Sequence, residues 1–209
     1  MSPPAMLAYG DRALLLELGD AGRVLAWTDA LGRARLPGVG DLVPAAATLL
    51  VVIAEGADVA AVRSALEGFE EPDPSAQRPE DGDVLEVPVS YDGPDLAEVA
   101  RLTGLTEAEI VEAHTSTTWR VAFGGFAPGF GYLVGGDARL VVPRRESART
   151  SVPAGAVGLA GEFSGVYPRE SPGGWQLIGT TSLPMWDPER DPPAVLLPGA
   201  RVRFVVAGS

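Results

Sequence analysis

Arginine is the only strong cation in this sequence, and it clusters. Arg139, Arg144, Arg145 and Arg149 fall within eleven residues, with Glu146 the one acid among them. A guanidinium presents a planar fork that grips a carboxylate or phosphate through two parallel hydrogen bonds. The cluster therefore reads as an anion site or the footprint of an acidic partner, against the plainer reading of a solvated loop with one ion pair. Just upstream, Gly124 to Gly136 (GGFAPGFGYLVGG) holds six glycines and three aromatics in thirteen residues. Glycines let the backbone turn sharply and approach a ligand, and the aromatics supply rigid apolar walls; the alternative is a loop that needs positive φ between two strands. Downstream, Val152 to Trp175 carries turn strings around Pro153, Gly155, Ser171 and Gly173, with Tyr167 and Trp175 as flat hydrogen-bonding surfaces. The single histidine, His114, falls at an expected helix end, where the macrodipole favours its protonated form. It reads as a proton-transfer group or, more plainly, as a capping residue.

What is missing narrows the chemistry further. All 16 basic residues are Arg, and the chain has neither Cys nor Asn. Without Lys there is no P-loop lysine, Schiff base or Ser–Lys pair, and with one His and no Cys a zinc site has too few ligands. No metal site is expected. The formal net charge of −12 repels phosphate backbones and anionic lipid, so neither nucleic acid nor membrane is an expected partner. No apolar run reaches the ~18 residues of a membrane span. The expectation is a cytoplasmic protein. The segment from Leu96 to Ala113 imitates a helix-turn-helix, but Glu98, Glu107, Glu109 and Glu112 make its surface acidic, and it is set aside.

The elements that must position these groups follow from periodicity. Ala13 to Leu18 reads as a strand, Ala21 to Arg35 as an amphipathic helix, Val39 to Pro44 and Thr48 to Ile53 as strands (the second a buried run), and the stretch after Asp58 as a helix. That order suggests a ferredoxin-like α+β domain over residues 1–70. Residues 71–83 read as an acidic, Pro-rich linker. In residues 84–209, Val84 to Ser90 reads as a strand free to pair with either domain. A helix is expected with Pro94 at its first position, and another follows the Thr106/Glu109 capping box. From Trp119 to Val206 short apolar strands alternate with Gly and Pro clusters, the texture of a compact β-barrel or sandwich.

Several strings occur in fixed order: His-Thr-Ser at 114–116, Trp-Arg-Val at 119–121, Gly-Phe-Ala-Pro-Gly-Phe at 125–130, Pro-Arg-Arg at 143–145, Val-Pro-Ala-Gly at 152–155, Gly-Val-Tyr-Pro at 165–168 and Glu-Ser-Pro-Gly-Gly-Trp at 170–175. In these the chain resembles the family of 5-oxoprolinase B subunits, also labelled allophanate hydrolase subunit 1. The family includes sporulation-kinase inhibitors and a related carboxyltransferase-type domain of urea carboxylase. One departure is clear: where many relatives have Gly-Gly-Gln-Thr-Gly, this chain reads Gly161-Glu162-Phe163-Ser164-Gly165.

The resemblance implies an α+β protein, an N-terminal ferredoxin-like domain followed by a C-terminal cyclophilin-like β-barrel. It implies one component, inactive alone, of an enzyme converting 5-oxo-L-proline, ATP and water to L-glutamate, ADP and phosphate, with Mg2+ accompanying ATP. Implied partners are the C-type subunit of 5-oxoprolinase (allophanate hydrolase subunit 2) and an A-type subunit of the metal-dependent-barrel kind. Ser–Ser–Lys amidase chemistry is absent, since there is no Lys. On this reading His114, Arg144 and Arg145 are catalytic, and the small amide substrate contacts Phe126, Pro128, Gly129, Phe130, Tyr132, Arg149, Pro153, Gly155, Tyr167, Ser171, Gly173 and Trp175. The alternative is a regulatory module that docks on a sensor histidine kinase; prolyl isomerisation rests on fold analogy alone.

Overall fold

The computed structural model describes residues 4–73 and 83–208. The chain divides into two compact units, Met1–Asp81 and Gly82–Ser209. Of the expected linker, residues 74–82 lie outside the described ones. Glu71, at its start, is anchored: its Oε1 accepts from Arg23 Nε and Nη2 at 3.0 and 2.8 Å and from Trp27 Nε1 at 3.3 Å.

The first unit runs β1 (Ala5–Ala8), β2 (Ala13–Glu17), α1 (Ala21–Ala34), β3 (Val39–Pro44), β4 (Thr48–Ile53) and α2 (Val59–Glu67). Its sheet has the order β1-β2-β4-β3, antiparallel throughout. Asp20 caps α1 by accepting from the Arg23 N–H, and Asp58 caps α2 by accepting from the Ala60 N–H. Val24, Trp27 and Leu31 of α1 and Val62 and Leu66 of α2 pack on Leu14, Leu16, Leu49, Val51 and Ile53. β4 is one-sided rather than a wholly buried run: Leu49, Val51 and Ile53 are buried while Leu50 and Val52 are half-buried. The sequence reading had no β1. Its four residues, Ala-Met-Leu-Ala, are too few for a period-2 pattern to register, and pairing with β2 defines the strand.

In the second unit β5 (Val84–Val89) precedes α3 (Leu96–Thr103) and α4 (Glu107–Ser116). Then come β6 (Trp119–Gly124), β7 (Gly131–Val134), a 3-10 turn (Ala138–Leu140), β8 (Arg149–Val152), β9 (Ala156–Ala160), β10 (Phe163–Val166), β11 (Ser171–Gly173), β12 (Gln176–Thr180) and β13 (Arg201–Val206). Seven strands form one sheet in the order β12-β9-β10-β7-β6-β13-β5, and β8 and β11 form a separate pair. β13 lies parallel to β5, which assigns β5 to this unit. The sheet nearly closes on itself. Ser90, just after β5, and Thr180, at the end of β12, exchange two backbone hydrogen bonds of 2.8 Å, so the two outer strands meet. Closure of this kind removes open edges and gives a barrel.

Val99, Ile110 and Ala113 from the helices join Trp119, Leu133, Val157 and Phe204 in the barrel core. The capping box is present, with Glu109 Oε2 accepting from the Thr106 N–H at 2.8 Å and Thr106 Oγ1 from the Glu109 N–H at 3.2 Å. α3 begins at Leu96 with Asp95 as its N-cap, so Pro94 precedes the helix instead of opening it. Gly93 lets the chain ahead of α3 lie against β12, since a Cβ there would come within 2.3 Å of the backbone of Leu177 and Ile178. Among the described residues no helix is long and apolar enough to cross a membrane.

Candidate functional site

A second apolar cluster forms on the barrel where β7, β9, β10 and the β8–β11 pair converge. Phe130, Val152, Ala156, Ala160, Tyr167, Trp175 and Leu177 are buried in it. The Phe130 ring is the hub, meeting Tyr167, Trp175 and Tyr132 edge-on with centroids 5.3, 5.3 and 5.1 Å away. Edge-to-face contacts suit the aromatic quadrupole and fix ring orientation. Phe163 packs edge-on against Tyr132 at 5.6 Å, so the ring at the departure from the family's amide-bearing string backs a wall of this site. Gly173 is required where it stands, because a Cβ would fall 2.3 Å from the Tyr167 hydroxyl.

Above these rings opens a cavity of about 80 Å³ lined by Phe126, Phe130, Tyr132, Arg144, Tyr167, Gly173, Gly174 and Trp175. Arg144 is its one cation and has no hydrogen bond or ion pair among the described residues. Burial raises the pKa of Tyr132 and of Tyr167, with the Arg144 charge opposing the rise in both. Both phenols stay protonated at neutral pH, and the buried Tyr167 hydroxyl is also held by a hydrogen bond from the Trp175 backbone, which further opposes the rise. One guanidinium and two hydroxyls over an aromatic floor can recognise a small carboxylate or a polarised carbonyl.

Arg145 and Arg149 share one carboxylate, and Arg149 Nη1 is left without a hydrogen-bond partner among the described residues. Asp95, only 3 % exposed, accepts from Arg145 Nη1 and Arg149 Nη2 through Oδ1, and from the Leu177 N–H through Oδ2, each at 2.7 Å. Burial alone would raise the Asp95 pKa; the hydrogen bonds from Arg149 and Leu177 and the charges of Arg149 and Arg145 outweigh it and hold the carboxyl below its usual range. The Arg145 N–H also donates to Gly174 O at 2.8 Å, and Gln176 Nε2 donates to Pro143 O at 3.2 Å. The segment carrying Arg144 is thus tied down on both sides.

His114 is placed elsewhere. It is fully buried in the barrel core, with Nδ1 2.8 Å from the Tyr91 hydroxyl, Nε2 2.9 Å from Ser164 Oγ, and its ring stacked on Phe204 at 4.1 Å. Desolvation lowers its pKa from 6.5 to about 3. The expected protonated helix-end histidine is corrected: removal from water overrides the weak field of the α4 terminus, and the neutral imidazole has no surface to offer a ligand. A pH signature follows. The unfolded chain takes up a proton near pH 6.5 and the folded chain only near pH 3, so stability is full above 6.5 and falls as pH drops below it. The slope is about 1.4 kcal/mol per pH unit. Urea unfolding of the wild-type chain should show this loss between pH 6.5 and 5, and His114→Gln, in a chain with no other histidine, should abolish most of the dependence there.

The structure therefore brings Phe126, Phe130, Tyr132, Arg144, Tyr167, Gly173 and Trp175 together. Pro128 and Gly129 belong to the same loop, with Gly129 packed against Trp186, Met185 and Pro168. Pro153 and Gly155 form the β8–β9 turn; Gly155 donates to Tyr167 O and accepts from Thr181 N. The Ser171 hydroxyl reaches Arg169 O at 3.4 Å. None of these last three lines the cavity. The sequence reading missed Asp95, because its partners lie 50, 54 and 82 residues away and leave no local mark; its side chain makes no cap bond. No group of three or more His, Asp or Glu among the described residues is arranged to hold a metal.

A family model described as carboxyltransferase domain, subdomain C and D, matches residues 4–196. The chain is 42 % identical over 205 residues to the B subunit of 5-oxoprolinase from Escherichia coli O157:H7, covering 94 % of this chain and 93 % of that protein. It is 47 % identical over 125 residues to the protein of the same name from Bacillus subtilis (strain 168), covering 58 % of this chain and 52 % of the other. Among solved structures, TTHA0988 superposes with a TM-score of 0.74 at 38 % identity over 95 % of this chain, which spans 41 % of that longer one.

Proposed function

Because the chain belongs to the carboxyltransferase subdomain C and D family, we propose that it is the B-type subunit of an ATP-dependent 5-oxoprolinase complex. The observation that carries the reading is the unpaired Arg144 over the ring-lined cavity. 5-Oxoproline is a small lactam with a flat amide unit and a carboxylate on a tetrahedral ring carbon, a match for one guanidinium, two phenols and an apolar floor. The curated relatives named above bear the enzyme's name, which favours this reading over docking on a kinase.

In this reading Arg144 and the phenols of Tyr132 and Tyr167 bind and orient the substrate. Arg145 acts through the Asp95 clamp, and His114 through holding the barrel wall. Activation of an amide by ATP develops negative charge on its oxygen, and preset donors are the groups that offset such charge. A cavity of about 80 Å³ is well below the ~300 Å³ and more of complete small-molecule sites. It is too small for a nucleotide. A larger cavity of about 230 Å³ beside Trp119, Asp137, Glu162 and Phe163 is lined by two acids and no arginine, a poor cradle for a triphosphate. We therefore assign ATP, with its Mg2+, to a surface completed by companion subunits of the C and A types. ATP use also suits a cytoplasmic location. The fold labels extend likewise: the first unit is read as ferredoxin-like, with β1 where the fourth strand usually lies, and the second as a cyclophilin-like barrel.

The test is to co-express the chain with its companion subunits, purify the complex and assay ATP hydrolysis with and without 5-oxoproline. Stimulation that requires all components is expected. A complex that hydrolyses ATP equally without the lactam would sink the assignment.

A further inference from the structure

The geometry points to Phe126 as an aromatic lid that selects small carboxylates with a flat face at the mouth of the Arg144 cavity, held ready by a strained turn. This rests on the reading above for the identity of the ligand. Phe126 is 57 % exposed, an unusual position for a phenylalanine, yet it lines the cavity. Its backbone sits at φ 65°, one of two non-glycine residues with positive φ among those described. The Ala127 N–H donates to Gly125 O at 2.7 Å, closing a three-residue turn around it. A positive-φ γ-turn is rare and strained, and a bulky side chain makes it more so. Glycine would occupy the position without strain, and glycines stand at 124, 125, 129 and 131. An aromatic at the one strained position calls for a function from the ring.

The surroundings fix the loop on either side of this residue. Ala127 precedes Pro128 and is restricted to extended conformations, and Pro128 has its own φ fixed. Gly129 is wedged against Trp186 and Pro168, while Gly125 N donates to Phe130 O and Phe130 N donates to Ala127 O. The base of the loop is therefore anchored, and Phe126 is its exposed tip. Its ring stands nearly perpendicular to Phe130 at 5.3 Å and to Tyr167 at 6.1 Å, and its exposure leaves ring surface open. A ligand whose carboxylate binds Arg144 and whose flat body meets that surface covers the ring. Selection then falls on small carboxylates that carry a flat amide or aromatic face, over bulky ones.

Phe126→Gly and Phe126→Ala separate ring from backbone. In the assembled complex both are expected to raise the KM for 5-oxoproline ~10-fold, with kcat changed far less. In the isolated chain the Gly variant should melt at or above the wild-type Tm and above the Ala variant, because it alone relieves the turn. Wild-type KM in both variants overturns the lid. So does loss of co-elution with the companion subunits at unchanged KM, which would make the ring an interface residue. If the wild-type complex shows no 5-oxoproline-dependent turnover, the functional reading fails and the lid is judged by titrating the isolated chain with 5-oxoproline and benzoate, followed by tryptophan fluorescence. Affinity for benzoate ~10-fold weaker in both variants supports it; equal affinity, or no saturation in the wild type, overturns it.

Discussion

Arg144→Ala is expected to lower kcat/KM for 5-oxoproline in the assembled enzyme ~100-fold while leaving the fold intact. The magnitude reflects one lost charge-assisted hydrogen-bonding partner, about 1.5–3 kcal/mol. Stability should move by less than about 0.5 kcal/mol, as for surface changes that touch no partner. Arg144 is exposed and makes no internal bond among the described residues, so nothing in the fold depends on its charge. The loss should appear mainly in KM if the guanidinium holds the carboxylate, and in kcat if it faces the activated amide oxygen. Arg144→Lys should recover only part, because an ammonium lacks the planar fork. Steady-state kinetics alongside thermal melts decide the matter. Unaltered kcat/KM in both variants would remove the anion site from this cavity.

The second large effect lies out of the substrate's reach. Asp95→Ala should destabilise the second unit by about 3 kcal/mol, with a Tm lower by roughly 10 °C. The carboxylate is buried and receives three hydrogen bonds, and its removal strands the Arg145 and Arg149 guanidiniums and the Leu177 N–H. Both arginines are partly exposed and regain some hydration, which keeps the cost below that of a fully buried pair. Asp95→Asn preserves size and one acceptor and should cost roughly half as much. Because the carboxyl pKa is lowered in the folded chain, its contribution is present above the unfolded value and is lost as pH falls through the folded one. Equilibrium unfolding at pH 7 and pH 3 should therefore show a smaller gap between wild type and variant in acid. Activity should also fall at temperatures where both are folded, since the Arg144 segment loses its anchor. A variant as stable as wild type would show that the two arginines find other partners.

Most elements of the first unit and several helix starts were legible because the forces that set them act within a few residues. Thr106 and Glu109 bond each other's backbone across one helical turn, and Asp20 and Asp58 cap helices two or three residues away. Alternation in β2 selects the buried face one residue at a time, whereas the all-apolar run of β4 hid its one-sidedness. The aromatic and glycine strings likewise announced a loop with walls, and Phe126, Phe130, Tyr132, Tyr167 and Trp175 do line one cavity. The pairing of β5 with β13 was not legible, since a parallel strand more than one hundred residues away leaves no local mark.

Roles of charged and titratable groups depended on the tertiary structure. Four arginines looked alike in sequence, yet Arg139 pairs with Asp137, Arg145 and Arg149 share Asp95, and Arg144 alone faces the cavity. His114 looked like a helix-end cation until Tyr91 and Ser164, 23 and 50 residues away, closed over both nitrogens. Asp95 takes its partners from 50, 54 and 82 residues down the chain. Residue types thus narrowed the chemistry to consider: cations only as arginine, with no lysine and no thiol. Which arginine is free, and whether the histidine is charged, is a matter of burial and long-range pairing. Desolvation and Coulomb energy are set by every group that surrounds a charge in space, and a sequence specifies those neighbours only once it has folded.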